Sequence, residues 1–98
     1  SPAMLLEKRA TKICEVNFGQ TSENYISRLH EQVSLQLEQQ QEKIEAVMAD
    51  AEKAVRLSAV VFTDTNQVVR LPFMHNLYVC YKAMQNWQEA ALLMEEMI

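Results

Sequence analysis

Gly19 is the one glycine of this 98-residue chain, Pro2 and Pro72 are its two prolines, and neither residue type occurs from Ser22 to Phe62. Most of the chain therefore offers no glycine turn, bulge or phosphate-cradling loop, and none of the dense turn signalling of a small all-β domain. Cysteine is equally scarce. Cys14 and Cys80 are a lone pair in a chain without secretory features, which points to two reduced, packed thiols in the cytosol and not to a disulfide framework. Apolar runs such as Ala59 to Phe62 and Ala90 to Met94 stop far short of the roughly 20 residues needed to span a bilayer. Positive charge is thin as well: nine Lys and Arg stand against thirteen Asp and Glu, for a net charge of −4 and a pI near 5.1. A nucleic-acid footprint, which needs clustered Lys and Arg, is excluded on that ground.

What is present is a high apolar content, 49% of residues, enough for a packed core. Its pattern is helical. Ile26, Leu29, Val33, Leu37, Gln40, Ile44, Met48, Ala51, Val55, Ala59 and Phe62 follow a repeating three-four-four step. That step has a period of about 3.67 residues and keeps the stripe on one face of a nearly straight helix. The spacing predicts one helix over residues 22–62, about 60 Å long, whereas a compact chain of about 100 residues has a radius of gyration near 13 Å. On this reading part of the helix projects or meets a partner.

Around it the chain divides readily. Residues 5–18 read as a first helix whose apolar side is Leu6, Ala10, Ile13, Cys14 and Val16, closed by Gly19, with Thr21 or Ser22 capping the next helix. Ser1-Pro2-Ala3-Met4 reads as a cloning remnant. A polar waist from Gln36 to Lys43, apolar only at Leu37, is expected to be a solvated but continuous bridge, because its residues are good helix formers. Thr63 to Gln67 reads as a linker. A third helix is expected over 72–85, opened by Pro72, and a fourth over 87–98, capped by Asn86. The chain ends on Met97 and Ile98 without a cap, so it is expected to belong to a longer protein.

From Met74 to Met97 the spacing resembles a single tetratricopeptide-type helical hairpin. Leu77 and Tyr81 stand where that repeat places the large residues of its first helix, Trp87 at the aromatic position after the turn, and Ala90 and Met94 at the small and large positions of the second helix. Tyr78 and Gln85 depart from the small residue and turn glycine usual there. The resemblance implies a helical hairpin; the family's peptide groove needs stacked neighbours and does not carry over from one copy.

Sites for chemistry are not indicated. His30 and His75 lack a second His or Cys at ligand spacing, and carboxylates such as Glu89, Glu95 and Glu96 read as a solvated helix face. No metal, cofactor or catalytic residue is expected. The reading is an all-α fold: a helical hairpin and one long helix running into a C-terminal bundle. Its expected function is a non-catalytic protein–protein interaction or oligomerisation module of a cytoplasmic scaffold or adaptor. The alternative is a regulatory or structural segment of a larger enzyme. Partner contacts are assigned to Leu29, Val33 and Leu37 on the projecting half, with a homodimer pairing two long helices about Leu37 and Gln40. Trp87, Leu93, Met94 and Met97 are assigned to a second, C-terminal edge.

Overall fold

The computed structural model describes residues 1–63 and 67–98, with Gln67 described by its backbone alone. It is all-α: α1 (Pro2–Phe18), α2 (Glu23–Gln39), α3 (Ile44–Val61), a 3-10 turn at Gln67–Arg70, α4 (Leu71–Ala83) and α5 (Trp87–Met97). The linker expected at Thr63 to Gln67 falls mostly on residues 64–66, outside the described residues.

The expected 22–62 helix is two helices. Gln40 takes the left-handed conformation, φ 54° and ψ 35°, its N–H closing on the Gln36 carbonyl at 3.0 Å, and the chain turns back through residues 40–43. Left-handed backbone costs a non-glycine residue about 1–2 kcal/mol. Against this, folding α3 back buries Val47, Ala51, Ala54 and Leu57, and each large apolar side chain gains about 1.5–3 kcal/mol on burial. Helix propensity differs by only tenths of a kcal/mol among Gln, Glu and Lys, so tertiary burial decides the turn. The radius of gyration is 13.2 Å, and no half of the chain projects.

Two joined clusters make the core. Val33, Val47, Ala51, Met74, Leu77, Cys80 and Leu93 form one; Tyr25, Ile26, Leu29, Ala54, Leu57 and Phe73 form the other, and Val55 packs against both. Helices α2, α3 and α4 touch one another mutually, α1 lies mainly along α2 with Glu15 also 3.8 Å from Lys53 of α3, and α5 lies mainly along α4. Polar contacts fasten the centre. Asp50 of α3 accepts from the buried Gln32 and Gln36 amides of α2 at 3.3 and 3.4 Å. The Asn76 amide of α4 donates to Ser34 Oγ at 3.0 Å and to His30 Nδ1 at 3.2 Å, while the His30 ring meets the edge of Phe73 at 4.9 Å. Burial lowers the His30 pKa, against a smaller opposing pull from Glu31.

The four N-terminal residues, read as a remnant, open α1. Ser1 Oγ accepts from the Met4 N–H at 3.3 Å, Pro2 sits in the first turn, and Met4 is buried. The Ser1 hydroxyl also donates to Gln39 Oε1 at 2.8 Å, and Lys8 pairs with Glu42 at 2.7 Å. These contacts set the start of α1 beside the end of α2, so the two run antiparallel. The glutamine-rich waist is thus a turn stitched to α1. Lys12 and Gln20 hold the Glu15 carboxyl down to about 2, and Lys8 and Gln36 lower that of Glu42. Elsewhere Gly19 ends α1 at φ 80°, Ser22 caps α2 by accepting from the Tyr25 N–H at 3.1 Å, and Asn86 caps α5.

Two measurements probe this fold. Gln40→Gly relieves the left-handed strain and is expected to raise the melting temperature by about 2–5 °C, whereas in a continuous helix the same change would lower it. His30 is neutral in the fold, so its contribution is complete above its ordinary value of 6.5 and is lost as pH falls through the lowered one. The urea midpoint is expected to drop between about pH 7 and pH 5, a slope that His30→Gln flattens; Glu15 and Glu42 act below the ordinary carboxylate value of 4.5.

Candidate interaction faces

A helix packed on one neighbour buries one stripe and leaves the remainder to solvent or to something else. The two end helices of this stack, α1 and α5, both leave apolar stripes uncovered. The sequence reading assigned an edge of α5, at Trp87, Leu93, Met94 and Met97, and none of α1.

In α1 most of the apolar side read from the sequence faces outward, while Cys14 packs inward. Leu6, Ile13 and Val16 are 66%, 60% and 71% exposed, and Leu5 and Phe18 are also exposed. The inner face is Met4, Glu7, Thr11 and Cys14. Thr11 is buried, its hydroxyl donating to the Glu7 carbonyl at 2.9 Å, and Arg28 of α2 lies 3.9 Å from the Glu7 carboxylate. A register with Leu6, Ile13 and Val16 inward would have matched the apolar pattern better. The Ser1, Lys8 and Thr11 contacts select the observed one. Arg9 lies on the outer row between Leu6 and Ile13; it is exposed and forms no ion pair among the described residues.

In α5 the inward stripe is Ala90, Leu93 and Met97. Ala90 and Leu93 are buried, and Met97 packs against the core cluster, so Leu93 and Met97 are core side chains and not the free edge expected of them. The uncovered row is Trp87, Ala91, Met94 and Ile98, at steps of four, three and four. Trp87 is 60% and Met94 42% exposed. Trp87, at the aromatic position after the hairpin turn, belongs to neither core cluster. Glu95 stands beside the row, exposed and without an ion pair among the described residues.

The sites assigned to the long helix are used up inside the chain. Leu29 and Val33 are 2% and 1% exposed, and Leu37 packs on the core at the mouth of a cavity of about 310 Å³ lined also by Gln36, Gln40, Ile44, Val47 and Val79. A seam between two copies of α2 has no free apolar face there, because α3 already covers the stripe. Among the described residues no three His, Cys, Asp or Glu side chains converge as a metal site requires, and no helix is long and apolar enough to cross a membrane. Cys14 and Cys80 are unpaired, and burial pushes the Cys80 thiol up to about 11.

Comparison with protein-family models, curated proteins and solved structures returned no match.

Core and face are separable by truncation. Trp87→Ala is expected to leave the melting temperature within about 2 °C of the parent, since little buried surface is lost. Leu77→Ala, inside the core cluster, is expected to cost about 2–5 kcal/mol. Thermal melts of the two variants followed by circular dichroism check the contrast.

Proposed function

We propose that this chain is a non-catalytic protein–protein interaction module that docks its partner on the α5 face headed by Trp87. The observation that carries the reading is the exposure of Trp87 in line with Ala91 and Met94. Large aromatics dominate binding energy where they become desolvated against a partner, and leaving one in water forgoes burial that α4 could have supplied. Met94 beside it has a flexible thioether that adapts to the shape of a partner surface. The resemblance of Met74 to Met97 to a tetratricopeptide-type hairpin accords with a binding role and specifies no ligand. Within this reading the module acts in the cytosol, where Cys14 and Cys80 stay reduced.

The test compares immobilised wild type with a Trp87→Glu, Met94→Glu variant as bait, after circular dichroism establishes that both are folded. Proteins captured by the wild type are expected to bind the variant at least about 30-fold more weakly, the loss of an aromatic hot spot. Undiminished capture by the variant overturns docking on α5.

A further inference from the structure

The outer rows of α1 and α5 match each other in length, spacing and charge. From Leu6 to Val16 the α1 row spans about 15 Å, and from Trp87 to Ile98 the α5 row spans about 16 Å. Their steps are three-four-three in one and four-three-four in the other, the alternation by which two helices interlock side chains along a seam. The two faces do not meet within one chain: among the described residues α1 and α5 make no contact with each other.

Charge selects the pairing. Lys8 is engaged by Glu42 and Lys12 by Glu15, which leaves Arg9 as the cation on the α1 row. Helix α5 carries Glu89, Glu95 and Glu96 and no Lys or Arg. An antiparallel pair of α1 faces would bring two Arg9 side chains within about 6 Å along the axis, and a pair of α5 faces would bring two Glu95 side chains within about 8 Å. Both oppose like charges across a drying seam. In an antiparallel α1 and α5 pair, Leu6 aligns with Ile98, Ile13 with Ala91 and Val16 with Trp87, and Arg9 falls in the same turn as Glu95.

We propose that the α1 face of one copy of this chain receives the α5 face of a second copy, head to tail. The inference rests on the α5 face being a docking surface and names its occupant. Each contact leaves one α1 face and one α5 face free, so the assembly adds copies beyond two as concentration rises, as an open chain or a larger ring, unlike a closed two-fold dimer. The area is that of a single short helix pair, below the standard stable interface, so association is weak.

Sedimentation from about 10 µM to 1 mM, the range in which a weak contact of this kind populates, is the first readout. The second is the emission of Trp87, the chain's one tryptophan, which reports this face alone. Mass beyond a dimer, with a blue shift that follows it, is expected. Arg9→Glu and Glu95→Arg, each alone, are expected to weaken association at least about tenfold, as like charges then meet across the seam. Mixing the two variants restores it, because each supplies the complement of the other; the double variant restores it alone. Both positions are exposed, so neither change threatens the fold. A wild type that stays monomeric across the range overturns the proposal, as does a dimer that stops growing or ignores both charge reversals. If capture of another protein still depends on Trp87 and Met94 in that case, the docking face stands and only its occupant is wrong.

Discussion

Mutual burial of Val33 on α2, Val47 and Ala51 on α3, and Met74, Leu77 and Cys80 on α4 is the constraint on which the remaining structure depends. It requires α3 to lie back along α2, which places a sharp turn at residues 40–43 and a left-handed residue at Gln40. It also brings α4 against both, so that His30, Ser34 and Asn76 meet and tie α2 to α4. Remove the fold-back and Val33 is uncovered, the cavity beside Leu37 opens, and the α1 contacts at Gln39 and Glu42 have nothing to hold.

The end helices inherit what this centre leaves them. Helix α1 is held by Met4, a buried threonine and exposed or half-exposed ion pairs, and pairs of that kind contribute only about 0–1 kcal/mol each. Helix α5 buries Ala90 and Leu93 over a shorter length. Both are therefore the elements expected to open first in native-state exchange, since local stability follows buried apolar contact. Both are also the elements whose second faces stay apolar and wet. A module that binds through its most weakly held helices can gain order on binding, at a cost in affinity.

The all-α class and several caps were legible from local chemistry. Gly19 closing α1, Ser22 capping α2, Pro72 in the first turn of α4 and Asn86 capping α5 each depend on one residue and its neighbours within a few positions. The core face of α3 was legible only in part: of the stripe Ile44, Met48, Ala51, Val55, Ala59 and Phe62 only Ala51 is buried, and Val47, Ala54 and Leu57 beside it complete the buried face. Of the binding residues inferred from spacing, Trp87 and Met94 lie on an uncovered face, while Leu29, Val33 and Leu93 are core.

Two features lay beyond the sequence. Nothing in Gln39, Gln40 and Gln41 marks a reversal: all favour helix, and an eleven-residue stripe reads identically whether a partner, a second copy or the same chain returning covers it. The side of α1 that turns inward was likewise open, since Leu6, Ile13 and Val16 make a better apolar stripe than Met4, Thr11 and Cys14. Periodicity states that a face is apolar, and only contacts distant in sequence state what lies against it. The all-α class and the caps at Gly19, Ser22 and Asn86 were thus settled by residues within a turn of one another. The fold-back, the outward α1 face and the exposure of Trp87 were settled by the burial of α2, α3 and α4 together, an energy of several kcal/mol that outweighs local preferences worth tenths.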